Sequence, residues 1–339
     1  WSSPIVLCRK HDGSWRMAID YRKLNAVTVR DNYPLPRLDD CLDALKGRSG
    51  SSTRIYSVMD FSSSYWQIPV AKEDIDKTSF VTHLGTYVFK TMPFGLVNAG
   101  ATYSRLMGLV LSGLSYRICL SYLDDLICFS DTFEEHLENL STIFDRIEDA
   151  GLKLQPKKCD YFKDKVKFLG HEVSGSGICI DKSRIEVIEN WPQPKCVSEV
   201  RSFVGTVSFY RRFIESFSDK ARPLHNLTKK NIPFVWDDDC THSFETLKKA
   251  LCSAPVLAYS VIVAPYYLDT DASGYAISGI LSQVQDGQER VIAYHSRTLT
   301  PEERRYCVTR RELLAVTDSL KHYHHYIFGS KVTVRSDHG

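Results

Sequence analysis

The chain has no Cys-x-x-Cys pair. Its ten cysteines are scattered over 339 residues, no two within three positions of each other. That removes the common zinc and dithiol redox motifs, and scattered thiols imply a reducing compartment with mostly buried, structural cysteines. Long apolar runs are also missing. The most apolar stretch, 254–268, is too short and too Pro-bounded to span a bilayer, so no membrane partner is expected. Net charge is nearly absent: 43 Lys plus Arg against 41 Asp plus Glu leave +2, which by itself predicts no partner. No internal repeat or long disordered tract appears. "HYHH" (322–325) has no companion Cys pair and reads as a His-rich helix end. "NLS" (139–141) and "NLT" (226–228) match the glycosylation pattern but carry little weight in a cytosolic chain.

What is present is ordinary globular composition, 43% hydrophobic and 25% charged, in a length sufficient for two or three domains. The charge is unevenly spread. Residues 1–30, 153–168 and 209–230 each hold six Lys or Arg against two acids, whereas 131–149 holds seven acids and one Arg. Three basic patches could track a phosphate backbone; each alone is equally a solvated face of a helix or loop. "KGRSGSST" (46–53) reads as a loop and "SGSG" (174–177) as a turn. Apolar spacing predicts a helix through Phe133, Leu137, Leu140, Phe144 and Ile147 that stops at Gly151. It predicts a second, capped by Ser198, through Val200, Phe203, Val204 and Val207, and a third through Phe244, Leu247 and Leu251. "TPEE" (300–303) is a capping box. It leads into a last helix with Leu313, Val316, Leu320 and Tyr323 on its buried face, and "KVTVRSD" reads as a strand. The sum is α+β in more than one unit.

"CLSYLDDLICFS" (119–130) is an apolar hairpin pattern with Asp124 and Asp125 at its turn. Asp-Asp suits a two-residue turn poorly, and a buried, unpaired carboxylate costs several kcal/mol. Local rules broken at one spot point to a site, and a hard divalent cation is the simplest compensation. "VMDFSSSYWQI" (58–68) supplies a second carboxylate, Asp60, after another strand-like run. If the two strands are neighbours, Asp60 and Asp124 can share two cations, the arrangement that serves in-line phosphoryl displacement. A surface hairpin bearing two turn acids is the alternative that this pattern leaves open.

At this point the motifs "WSSPIVLCRKHDGSWRMAIDYRKLNAVTVRDNYPLPRLDD", "MDFSSSYWQI", "MPFGLVNAGATYSRLM", "YLDDLICFS", "LKLQPKKCDYF" and "FLGHEVSGSGI" follow one another in order. They continue through "WPQPKCVSEVRSFVGTVSFYRRFI" to "YYLDTDASGYAISGILSQVQ", "RRELLAV" and "VRSDHG". The series closely resembles the reverse transcriptase and RNase H region of gypsy-like LTR-retrotransposon Pol polyproteins, over nearly the whole chain.

The resemblance implies an α+β, multidomain right-hand polymerase: partial fingers, an antiparallel palm sheet and a helical thumb, followed by an incomplete RNase H-like α/β domain. The expected divisions are 1–174 for fingers and palm, 175–258 for thumb and connection, and 259–339 for the RNase H-like part. The implied function is RNA-directed DNA polymerase. Asp60, Asp124 and Asp125 would hold two Mg2+ ions, with Mn2+ as substitute. Arg16, Phe61, Tyr65, Phe94 and Gly95 would form the nucleotide site, Tyr65 lying beneath the incoming sugar and excluding a 2′-hydroxyl. Leu169, Gly170 and His171 would hold the primer end, with Arg211 and Arg212 near the phosphates. Asp271, Glu312 and Asp337 would bind Mg2+ for hydrolysis of the RNA strand of a hybrid, and Asp269 would be a bystander. Implied partners are an RNA template, a DNA primer, an RNA–DNA hybrid and deoxynucleoside triphosphates, with homo-oligomerisation left open. The implied location is a cytoplasmic virus-like particle, with the nucleus as a further site.

The chain departs from the family pattern at several places. Gly100 stands where Pro is usual, Ser64 replaces Gly, Trp66 replaces His, and the insert near 46–53 is long. Both ends read as cut from something longer, and the fourth RNase H ligand would lie past residue 339. The RNase H segment is therefore expected to be inactive and marginally stable. A two-metal nuclease alone is disfavoured by Tyr65 and "PFG" (93–95). A catalytically impaired fragment, or a nucleic-acid-binding remnant of such an element, is the alternative from another class.

Overall fold

The computed structural model describes residues 2–9, 13, 15–46, 54–261 and 264–336. The 47–53 part of the expected Gly/Ser loop and Asp337 lie outside the described residues, as does the Arg16 side chain. The chain forms two compact units, Trp1–Leu169 and Gly170–Gly339.

The first unit begins with strands β1 (Ser3–Arg9) and β2 (Trp15–Ile19) and short helices α1 (Arg22–Val27) and α2 (Leu38–Asp43). Strand β3 (Ile55–Asp60) follows, then β4 (Phe80–Thr82), β5 (Gly85–Tyr87) and helix α3 (Ala99–Val110). Next come β6 (Cys119–Tyr122), β7 (Asp125–Ser130), helix α4 (Phe133–Asp149), β8 (Asp160–Lys163) and β9 (Lys165–Phe168). Two four-stranded sheets result, in the orders β2-β1-β4-β5 and β6-β7-β3-β8, the second wholly antiparallel. Helices α3 and α4 pack on this second sheet through Tyr103, Met107, Leu140, Ile143 and Ile147, which meet Met59, Leu126 and Cys128.

Helix α4 spans the predicted segment, but its buried stripe is His136, Leu140, Ile143 and Ile147, while Phe133, Leu137 and Phe144 are exposed. The reason is a polar contact. His136 is fully buried, its Nε2 2.7 Å from Ser57 Oγ and its Nδ1 3.0 Å from Ser130 Oγ. An imidazole with both nitrogens satisfied can occupy a core position that hydrophobic spacing assigns to its neighbour.

In the second unit, β10 (His171–Ser174) and β11 (Gly177–Ile180) form a hairpin across the expected 174–177 turn. Helices α5 (Lys182–Glu189), α6 (Val197–Phe209), α7 (Phe217–Lys220), α8 (Arg222–Leu227) and α9 (Asp238–Cys252) follow. The predicted stripes Val200/Phe203/Val204/Val207 and Phe244/Leu247/Leu251 are all buried. Helix α6 starts one residue before Ser198, with Cys196 at the N-cap and the Glu199 carboxylate accepting from the Lys195 amide. Strands β12 (Tyr266–Ala272), β13 (Ala276–Gln285), β14 (Gln288–Thr298) and β15 (Val332–Ser336) make a sheet in the order β14-β13-β12-β15, with β15 parallel to β12. Helix α10 (Val308–His322), followed by α11 (His324–Ile327), covers it.

The 300–303 capping box forms reciprocally: Thr300 Oγ1 accepts from the Glu303 amide and Glu303 from the Thr300 amide. It opens a short 3-10 turn, and α10 starts only at Val308. On α10 the buried residues are Glu312, Ala315 and Ser319, with Tyr323 at the C-cap, whereas Leu313 is exposed. Gly279 on β13 sets this face. A Cβ there would sit 2.3 Å from Ser319 Oγ, so helix and sheet approach too closely for a larger pair.

Candidate active site

The adjacent carboxylates are set by strand register. Asp60 ends β3 and lies opposite Asp125, the first residue of β7, which in turn pairs with Tyr122 on β6. The two central residues of the β6–β7 turn are therefore Leu123 and Asp124, not Asp124 and Asp125. Leu123 carries the positive φ, +51°. That conformation strains a bulky residue, and it places Asp124 at the tip of the hairpin beside the end of β3.

Asp60 and Asp124 line one cleft of about 670 Å3 with Trp15, Met17, Phe61, Ser63, Ser64, Trp66, Phe94, Gln155 and Lys158. Burial, then the negative charge of Asp60 and Asp124, raises the Asp125 pKa. The Tyr103 hydroxyl is buried without a hydrogen-bond partner among the described residues and is held protonated by burial and by the same two carboxylates. Lys158 Nζ stands 3.6 Å from Asp60 Oδ2 and supplies positive charge there.

The donor set, three hard carboxylates crowded at one end of adjacent central strands, suits a Mg2+-class cation. Among the described residues, no group of three His, Cys, Asp or Glu side chains is already arranged around a metal-sized point.

The loop after Asp60 turns without glycine. Its positive φ, +53°, falls on Ser63, while Ser64 is buried in a 3-10 turn. Gln67 fastens this loop: its Nε2 donates to the Ser62 and Lys153 carbonyls and its Oε1 accepts from the Lys153 amide. The Gln155 amide donates to the Asp60 carbonyl at 2.8 Å.

Tyr65 packs edge-on against Phe94 and Tyr103, with ring centroids 5.5 and 5.4 Å away. Burial and Asp124 together raise its pKa. Trp66 leans on Phe94 at 6.0 Å and lines the cleft itself. Phe61 is buried and edge-on to Tyr103. Gly95 has φ +95°, and a Cβ there would lie 3.4 Å from the Ile19 carbonyl. Asn25 pins this turn, donating to the Gly95 carbonyl and accepting from the Val97 amide. Arg16 stands on β2 opposite Cys8.

A family model for reverse transcriptase (RNA-dependent DNA polymerase) matches residues 8–173. One for the RNase H-like domain found in reverse transcriptase matches residues 236–334. The chain is 37% identical over 344 residues to the retrovirus-related Pol polyprotein from transposon 412 of Drosophila melanogaster, covering 100% of this chain and 27% of that one. It is 35% identical over 336 residues to that from transposon gypsy of the same fly, covering 95% and 32%. The chain belongs to the reverse transcriptase and RNase H region of gypsy-like LTR-retrotransposon Pol polyproteins. It spans about a quarter to a third of the length of these relatives. A foamy viral protease–reverse transcriptase in complex with double-stranded DNA shares its fold, with TM-score 0.85, 25% identity, and 99% of this chain and 58% of that one covered. The right-hand polymerase fold with an RNase H-like domain is thereby established.

The other residues expected in this reverse transcriptase region fall in varied surroundings. Leu169 and Gly170 both have positive φ, +50° and +76°, in the turn before β10. His171 is fully buried, its ring among Phe209, Tyr210 and Phe213. Arg212 is also buried, with Nη2 3.4 Å from the Tyr326 hydroxyl, and Arg211 donates to the Ser296 carbonyl. Neither His171 nor Arg212 presents its side chain to solvent. In the RNase H-like part, Asp271 is exposed near the end of β12 and Glu312 is buried on α10. Arg311 donates to the Ser273 carbonyl at 3.0 Å, which brings the start of α10 against the turn that follows Asp271. Asp269 is bound by the Arg335 guanidinium through two bonds of 2.6 Å. Among the described residues no helix is long and apolar enough to cross a membrane.

Sequence reasoning missed Lys158, Gln155, Gln67, Asn25, Trp15 and Met17. Lys158 had a signal, its place in the basic run 153–168. The other five act through contacts with backbone or cleft that no motif records.

Proposed function

We propose that this chain is an RNA-directed DNA polymerase that extends a DNA primer on an RNA or DNA template. The carrying observation is the cleft in which Asp60 and Asp124 meet, beside Asp125 and under the Phe94–Gly95 turn. Asp60 and Asp124, with Asp125 beside them, would hold two Mg2+ ions, which would lower the pKa of the primer 3′-hydroxyl and take up charge on the triphosphate.

The remaining roles belong to the chain's own groups. Arg16 grips the triphosphate as a bidentate donor. Gly95 lets the backbone approach the nucleotide. Tyr65, braced by Phe94 and Tyr103, stands where a 2′-hydroxyl would clash. Lys158 keeps the Asp60 side of the cleft from accumulating uncompensated charge before substrate enters. Leu169 and Gly170 carry the primer-end role. The buried His171 and Arg212 support the fold around it, and the exposed Arg211 faces phosphates.

Residues 1–174 then serve as fingers and palm, 175–258 as thumb and connection, and 259–339 as the RNase H-like part. The first boundary lies five residues past the end of the first compact unit at Leu169. Hydrolysis of the RNA strand of a hybrid would fall to Asp271 and Glu312 with Asp337. In the whole polyprotein this work belongs in a retrotransposon particle.

Primer extension tests the reading. With Mg2+, wild type should extend a DNA primer on an RNA template, and Asp124→Asn should abolish extension while hybrid binding persists. Hybrid binding by both with extension by neither would instead favour a nucleic-acid-binding remnant.

A further inference from the structure

The RNase H-like sheet neutralises some of its arginines and leaves others bare. Arg297 is paired with Asp318 and Glu303, and Arg335 with Asp269 and Glu289. Arg222 and Arg304 differ. Both guanidinium groups lie on one ring, Tyr275, at 4.0 and 5.5 Å from its centroid, and among the described residues neither forms an ion pair. Among the described residues the Arg304 side chain donates only to the Leu299 carbonyl. A third guanidinium, that of Arg311, bonds the Ser273 carbonyl through Nη1, and its buried Nε has no hydrogen-bond partner among the described residues. Three arginines from three separate segments thus converge on the turn 273–275.

The turn itself is held by side-chain hydrogen bonds. Ser273 Oγ accepts from the amides of Tyr275 and Ala276 and donates to Asp219 Oδ1 at 3.0 Å, the one carboxylate in contact with it among the described residues. Like charges held against one aromatic ring repel each other. The ring quadrupole attracts each of them but does not neutralise the pair; a bound anion does. Guanidinium forks match phosphate oxygens geometrically. The surface is open, with Tyr275 46% exposed, which suits a strand passing over it better than an enclosed small anion. Asp271 precedes the turn by two residues, and Glu312 follows Arg311 directly.

We propose that Arg222 and Arg304, splayed on Tyr275 above the Arg311-braced turn, form a phosphate clamp for a nucleic-acid backbone beside Asp271 and Glu312. The proposal rests on the reading above only in taking the chain's ligand to be nucleic acid. Arg222 comes from helix α8, outside the strands and helix of the RNase H-like sheet, so the clamp ties strand binding on this sheet to the helical segment before it.

Fluorescence anisotropy of a labelled RNA–DNA hybrid on the full chain, between about 50 and 200 mM salt, measures the clamp directly. Each phosphate contact contributes a slope of roughly 0.9 in log affinity against log salt. Arg222→Gln with Arg304→Gln should lower the slope by nearly 2 and weaken binding about tenfold at the low-salt end. Each single substitution should lower the slope by about half as much, which keeps the test open if the double variant fails to fold. Tyr275→Ala should reproduce part of the loss and Tyr275→Phe should restore it. Arg297→Gln, which removes an ion-paired guanidinium, should leave the slope unchanged.

An unchanged slope in the double and single variants overturns the proposal. So does an equal loss in Arg297→Gln, or a loss confined to inorganic phosphate binding with the hybrid slope intact. Failure of wild type to extend primers, with the slope change present, would count against the polymerase reading and leave the clamp standing.

Discussion

Asp60 and Asp125 are cross-strand partners, the last residue of β3 directly opposite the first of β7. Two carboxylates so placed, with Asp124 adjoining, repel one another. The raised Asp125 pKa, caused first by burial and then by Asp60 and Asp124, is the mark of it. A carboxyl whose folded pKa is raised favours folding below its unfolded pKa and loses that contribution as pH rises through the folded value. At neutral pH the ionised group therefore works against the fold unless a cation is bound. Asp125→Asn should raise the melting temperature in chelator by a few degrees, on the order of 2–4 °C, and shrink the further rise that Mg2+ produces. Differential scanning fluorimetry with and without Mg2+ checks both signs. A lower melting temperature for Asp125→Asn in chelator would contradict the electrostatic account.

His136 gives the opposite sign. Burial pushes its pKa down to about 4, while its value in the unfolded chain is near 6.5. Between those values the unfolded state binds more protons. The contribution of neutral His136 is thus fully present above about 6.5 and is lost as pH falls towards 4, at up to about 1.4 kcal/mol per pH unit and at most about 3 kcal/mol in all. Urea midpoints measured from pH 7 to pH 4.5 should fall more steeply for wild type than for His136→Gln. Parallel profiles would show that the Ser57–His136–Ser130 contacts do not carry this linkage.

The α4 stripe also shows where sequence reading stops. Val200, Phe203, Val204 and Val207, like Phe244, Leu247 and Leu251, are apolar residues at helical spacing with no polar competitor, and all are buried. On α4 and α10 the buried faces include Glu312 as well as His136 and Ser319, which meet Ser57 and Gly279 far along the chain, and apolar spacing rotated the expected face towards Phe133 and Leu313. The three carboxylates Asp60, Asp124 and Asp125 were legible because they break an apolar pattern. Asn25 and Gln67 were not, because they act on backbone groups 70 and 86 residues away. The turn was misplaced by one residue because strand register, not composition, decides which pair is central.

Gly100 departs from the family's proline at the second residue of α3. Its φ is not positive, and the nearest atom to a Cβ placed there is Leu123 Cδ2 at 3.7 Å, an ordinary contact. Alanine would fit and would narrow the unfolded ensemble. Gly100→Ala should therefore stabilise the first unit by about 0.4–1 kcal/mol, read from urea unfolding followed by a probe in that unit. Because the new methyl would touch Leu123, which holds the strained turn before Asp124, extension activity should be kept or raised. A destabilised variant would mean that the start of α3 needs glycine for a reason other than space.

Gly279 is the reverse case. A Cβ there would lie 2.3 Å from Ser319 Oγ and 2.9 Å from Ser319 Cβ, so β13 and α10 cannot both keep their places. The same strand and helix are joined by the Tyr323 hydroxyl, which reaches the Gly279 carbonyl at 3.0 Å and the Ala293 carbonyl at 2.8 Å. Separating the layers would break that contact as well as the packing of Leu268 and Leu281. Gly279→Ala should destabilise the second unit by about 1–3 kcal/mol, the usual range for overpacking. Ser319→Gly should recover part of the loss in the double variant although it weakens the helix on its own by up to about 1 kcal/mol. The coupling is the informative quantity, since the two single effects would simply add if the residues did not meet. Hydrogen exchange at the α10 amides, compared across the four members of the cycle, reads it locally, and additivity within about 0.3–0.5 kcal/mol would show that the close approach of β13 and α10 is not what fixes the buried face of the helix.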